Sequence, residues 1–227
     1  MRTRPGTVVS AVTVIAAVTV LAYFLAAISG YDAVLAYAGG FVPARVSDPG
    51  FLSDAGFEFP VLPMWLTPVG ATLLHGGLLH LALNIIILLF CGRQVEAVLG
   101  RSLTLALYVA GAYAAALGQW AFDPMLTIPM VGASGAISAV LAAYALLYGS
   151  RDVRALGPIP AGIVRMLWLG AGWTALQFLI GIATSSGETG FGTGGSEIAI
   201  GAHIGGFIAG MILVRPLLLL RFGKSVT

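Results

Sequence analysis

Six long apolar runs, at about residues 7–29, 71–91, 102–121, 131–149, 161–183 and 198–220, set the terms on which this chain can fold. Each is near the roughly 20 residues that an α-helix needs to cross a hydrocarbon core about 30 Å thick. Inside lipid there is no water for the backbone to bond, so only helices, which satisfy their own N–H and C=O groups, or closed barrels can span it. Barrel strands would alternate apolar and polar residues over about 10 positions. These runs do not alternate. The predicted class is therefore all-α, a polytopic bundle of six transmembrane helices with a long first outer loop, forming a single membrane domain over residues 1–227. Composition agrees, because only 9% of residues are charged where soluble domains carry about 25%.

Charge placement orients the bundle. With the amino terminus inside, Arg2, Arg4, Arg93, Arg101, Arg151, Arg154, Arg165, Arg215, Arg221 and Lys224 fall at or near the inner face, and of the 11 cations only Arg45 is left outside. Asp32, Asp48, Asp54, Glu58, Asp123, Glu188 and Glu197 fall outside, Glu96 and Asp152 inside. The bias of Lys and Arg in short loops predicts both termini in the cytoplasm. The expected location is integral, in a plasma membrane of prokaryotic type. MRTRPG followed by an apolar run could open a signal peptide, but a run of about 23 residues exceeds the usual 7–15 of such a segment.

The connections differ. The outer loop at about 30–70 carries Phe41, Phe51, Phe57, Phe59 and Trp65, so it reads either as a partly inserted interfacial hairpin or as a loop packed over helix ends. The outer segment at 184–197, TSSGETGFGTGGSE, is rich in Gly, Ser and Thr and is expected to be flexible, able to act as a lid. No nucleotide-binding glycine pattern, nucleic-acid-type basic patch or internal repeat appears, so the expected partners are the bilayer and other membrane proteins rather than nucleotides or nucleic acids. Cys91 is the only cysteine and cannot form an internal disulfide.

Polar residues at membrane depth are expensive, and each is a functional hypothesis. All 3 histidines fall in apolar runs: His75 and His80 in the second, with Asn84, and His203 in the sixth. His80 and Asn84, four residues apart, share a helix face, whereas His75 projects elsewhere. Three or four converging ligands would be needed for a metal. That supply is missing, so no metal or cofactor is expected. For the pair itself, interhelical hydrogen bonding is the simpler role.

Ser134 stands in VGASGAISAV between Gly132 and Gly135, and His203 in IGAHIGGFIAG beside two small-residue ridges, Gly201/Gly205/Ala209 and Ala202/Gly206/Gly210. Small residues at such spacing let helix backbones approach closely. Packing of those ridges on the fourth span would bring Ser134 and His203 together near the outer ends of their helices. A serine hydroxyl becomes nucleophilic when a neighbouring base takes its proton, and histidine can take it and return it to a leaving amine. The oxyanion formed on attack is stabilised by preorganised donors such as Asn and His side chains and a backbone N–H. His80 and Asn84 fit that part. No aspartate lies where it could orient His203, so a dyad is expected, a variant the chemistry allows.

Taken together, HGGLLHLALN at 75–84, GRQVEAVLG at 92–100, GASG at 132–135 and GAHIGGFIAG at 201–210 resemble the rhomboid intramembrane serine proteases, in the family's order and on its second, fourth and sixth spans. The resemblance covers about residues 63–215. It implies Ser134 as nucleophile, His203 as general base, and His80, Asn84 and the Ser134 N–H as the oxyanion hole. It further implies that Gly206 and Gly210 admit close packing of the sixth helix on the fourth, and that Gly132 and Gly135 give the nucleophile room. His75 would support the outer loop, and Glu96 would fix the turn between spans two and three. Substrates would be single-pass membrane proteins, cut near the outer end of their transmembrane segment. Two positions depart from the family pattern. Ser138 stands where an aromatic often packs against the catalytic histidine, and Trp65 is followed by Leu66 rather than Arg. A non-catalytic membrane-protein-binding relative is the alternative, although such relatives would be expected to lose the serine or the histidine, and both are present. A small transporter would want polar residues on more spans.

Overall fold

The computed structural model describes residues 9–149, 153–185 and 199–223. Arg2, Arg4, Arg151, Asp152, Glu188, Glu197 and Lys224 lie outside them, as does most of the 184–197 segment expected to act as a lid. Six long helices carry the fold: α1 (Ala11–Ser29), α2 (Leu78–Leu99), α3 (Arg101–Phe122), α4 (Ser134–Tyr148), α5 (Ala161–Ser185) and α6 (Ile200–Phe222). Among the described residues there is no β-strand, only two isolated bridges. The protein is an all-α, polytopic membrane protein. Helices α1, α2, α3 and α6 are each long and apolar enough to cross a bilayer. Helix α4 has 15 residues, a rise of about 22 Å, too short for both faces of a core about 30 Å thick. Ser134 is its first residue.

The second helix corrects the sequence reading. It begins at Leu78, not near 71, because Thr67–Ala71 form a separate short helix and Gly76 and Gly77 interrupt the chain before Leu78. It then runs on to Leu99 through a π-helical turn at Leu88–Gly92. Such turns insert one extra residue per turn and rotate the face that follows. Gly92 in that turn lets α1 close in, since a Cβ there would lie 3.0 Å from a Val12 methyl.

Helix α6 wedges between α3 and α4, with its two small-residue ridges facing different neighbours. A Cβ on Gly205 would overlap the Ala114 carbonyl of α3, and one on Gly201 would sit 2.6 Å from the Gly118 carbonyl. The Gly206/Gly210 ridge instead meets α4, at the carbonyls of Gly135 and Ala139. Only the second ridge thus packs on the fourth span, as both were expected to. Without a hydrophobic force between helices in lipid, the close packing that such backbone contact allows is one of the sources of cohesion.

The long loop between α1 and α2 is built from short helical pieces and is tied down. Phe41 and Met130 exchange backbone hydrogen bonds of 3.1 and 2.8 Å, and the Ala44 amide donates to the Leu126 carbonyl at 3.0 Å. Arg45 is buried, and its Nη2 donates to the Leu62 carbonyl at 3.1 Å, closing the loop on itself. Burial lowers the pKa of that guanidinium from its usual value by desolvation. Tyr113 of α3 donates its hydroxyl to the Trp65 carbonyl at 2.7 Å. Phe41 and Val42 are buried while Phe59 and Trp65 are exposed. The loop therefore packs over helix ends at one edge and presents aromatics outward at the other, combining the two readings of its sequence.

Candidate active site

The segment 130–133 delivers Ser134 to the head of α4. Gly132 has φ +117°, a conformation that L side chains rarely adopt, and a Cβ there would lie 2.6 Å from Cε1 of His80. The Gly132 amide donates to the Ala71 carbonyl at 2.8 Å, and the Ala133 amide to Nε2 of His75 at 3.4 Å. His75 thus buttresses the approach to Ser134 from the irregular stretch before α2. As the first residue of α4, Ser134 has an N–H with no carbonyl one turn back to bond.

His203 lies in the first turn of α6, buried, with Nε2 2.8 Å from Oγ of Ser134. For Nε2 to accept the hydroxyl proton, the ring proton must sit on Nδ1, which has no hydrogen-bond partner among the described residues. No carboxylate among them bonds the ring. The register of α6 is set from α3, where Oε1 of buried Gln119 accepts from the Ala202 amide at 3.2 Å.

His80 places its ring against Gly132 and edge-on to His75, with centroids 5.1 Å apart. Asn84 is buried one turn further on, where Nδ2 donates to the His80 carbonyl at 2.8 Å and Oδ1 has no partner among the described residues. One of the two Nδ2 hydrogens is thereby used within α2, leaving one to offer. A small cavity of about 20 Å³, room for one water, is lined by Ser134, Gly132, Gly135, Thr72 and Ala202 among others.

Two supporting residues make contacts beyond those their sequence suggested. Gly135 faces α3, where a Cβ would overlap the Ala115 methyl, so it also serves the α3–α4 contact. Glu96 does reach Arg101 across the turn after α2, at 3.8 Å. Its shorter bonds, however, go to the start of α1: it accepts from the Ser10 hydroxyl at 2.7 Å, the Ala11 amide at 3.0 Å and the Val12 amide at 2.9 Å. A carboxylate there satisfies amides that a helix leaves unpaired and complements the positive end of its dipole.

Trp173 and Gln119 were missed from sequence. A tryptophan in an apolar run carries no signal of its own, and a lone glutamine reads as helix packing. Trp173 comes from α5, buried, and donates Nε1–H to Oγ of Ser138 at 2.6 Å. Its ring meets that of His203 edge-on, with centroids 6.3 Å apart and planes at 71°.

A serine and a histidine in hydrogen-bond contact inside a helical membrane bundle define a narrow class of polytopic protein. The Rhomboid domain model matches residues 63–220, and the chain belongs to the rhomboid family. It is similar to Rhomboid protease GluP of Bacillus subtilis (strain 168), 30% identical over 164 residues, 71% of this chain and 28% of that protein. It is also similar to Rhomboid-related protein 3 of Homo sapiens, 34% identical over 104 residues, 44% of this chain and 24% of that one. The chain therefore spans about a quarter of the length of these curated relatives.

Proposed function

We propose that this protein is an intramembrane serine endopeptidase that cuts single-pass membrane proteins near the outer end of their transmembrane segment, with both its own termini in the cytoplasm. The observation that carries the reading is the 2.8 Å contact of Ser134 Oγ with His203 Nε2. Membership of a family that includes a protein named as a protease supports it.

In this mechanism Nε2 of His203 takes the hydroxyl proton as Oγ of Ser134 bonds to the scissile carbonyl carbon. The carbonyl oxygen becomes an oxyanion, held by the Ser134 N–H, the ring of His80 and the free Nδ2 hydrogen of Asn84. As the C–N bond breaks, His203 returns its proton to the leaving amine. Water, activated by the same imidazole, then releases the acyl group and restores the serine.

The test is incubation of the full chain in lipid with a single-pass membrane substrate, comparing wild type with Ser134→Ala and His203→Ala. Cleavage by the wild type alone is expected. Equal cleavage by all three would overturn the dyad.

A further inference from the structure

We infer that Trp173 is a positioning residue for His203, supplied by α5 and anchored through the hydroxyl of Ser138. This rests on the reading of Ser134 and His203 as the dyad. A catalytic imidazole must be held in one orientation, commonly by a hydrogen bond to its second nitrogen. In this protein Nδ1 of His203 is buried with no partner among the described residues. The ring is fixed instead by the Ser134 hydroxyl at Nε2 and by the edge-on contact with Trp173. Edge-to-face aromatic pairs favour centroid separations of about 4.5–7 Å, and this pair falls within that range.

Trp173 is itself fixed. Its N–H donates to Ser138 Oγ at 2.6 Å, and that hydroxyl donates in turn to the Ser134 carbonyl at 2.8 Å. Ser138 is completely buried, so its hydroxyl has no water to turn to, and both of its bonds run to the elements that carry the site. An indole on one helix, a hydroxyl on a second and an imidazole on a third thus form a closed arrangement around Ser134. An aromatic at 138 would remove the hydroxyl that receives the indole N–H. The serine at 138 and the tryptophan at 173 consequently act as a pair, and the position of α5 is coupled to the orientation of the base.

The experiment measures covalent labelling of the full chain in lipid by a fluorophosphonate, as a function of probe concentration. Serine attack on this probe needs the base but no peptide substrate. Trp173→Ala is expected to lower the maximal labelling rate roughly three- to tenfold, the scale of an aromatic pair expressed as a rate, with the half-saturating concentration unchanged. Trp173→Phe keeps a ring but loses the N–H, so its loss is smaller. Ser138→Ala reproduces that loss, and the Trp173→Phe/Ser138→Ala double variant is no slower than either single one. An unchanged rate in Trp173→Ala, or a change confined to the half-saturating concentration, would overturn the inference while leaving the dyad in place. If Trp173→Ala does not fold, additive losses in the Phe and Ala pair overturn it instead. Labelling that persists in Ser134→Ala would remove the dyad and this inference together.

Discussion

Gly206 of α6 lies so close over the backbone carbonyl of Gly135 on α4 that a methyl group there would overlap the oxygen. Gly135 follows Ser134 and Gly206 is three residues beyond His203, so this contact helps to set the distance between the two side chains of the proposed dyad. Gly206→Val is expected to destabilise the bundle by about 1–3 kcal/mol, the usual cost of overpacking. It should also slow fluorophosphonate labelling by roughly 100-fold, the scale for a 1 Å misplacement of reacting groups. Thermal melting in lipid and the labelling rate check the two effects separately.

Gly132 is constrained twice, by its backbone and by its neighbour. At φ +117°, with a Cβ that would fall 2.6 Å from the His80 ring, Gly132→Ala should cost roughly 1–3 kcal/mol in strain and push His80 aside. The expected result is a lower melting temperature together with a loss of cleavage. A variant that keeps full cleavage would show that His80 need not hold its place.

If His80 and Asn84 stabilise the oxyanion, His80→Ala and Asn84→Ala should each lower the cleavage rate by about 10²–10³-fold. Asn84→Ala should do so with little loss of stability, because Oδ1 already lacks a partner and the amide bonds only its own helix. Kinetics alongside melting curves would separate the two effects.

Glu96 ties the start of α1 to the end of α2. Glu96→Ala leaves the Ser10 hydroxyl and the Ala11 and Val12 amides without their acceptor. A loss of about 1–3 kcal/mol is expected for such orphaned donors. Glu96→Gln, which keeps an acceptor but no charge, should lose less. The check is thermal stability, together with protease sensitivity at the start of α1.

Much of the fold is legible in the sequence. Runs of apolar residues at bilayer length dictate helices because lipid offers the backbone no other partner, and the helices found at α1, α3, α5 and α6 lie close to the runs. The candidate residues Ser134, His203, His80 and Asn84 stood out because polar groups are costly at that depth. The start of α2 did not, since the apolar run continues through Thr72 and Leu74 while Gly76 and Gly77 break the helix. Apolar character and helical geometry are separate properties, and only the first is visible as hydropathy.

What the chain determines locally is which segments become helices and which residues are small enough, or polar enough, to matter inside lipid. Which faces meet was decided by three-dimensional packing. One ridge of α6 chose α3 and the other α4, Glu96 turned to α1, and Trp173 crossed from α5 to the hydroxyl of Ser138. The reason is physical: periodicity specifies a face, but the partner of that face depends on the joint fit of several helices, and no single stretch of sequence contains it.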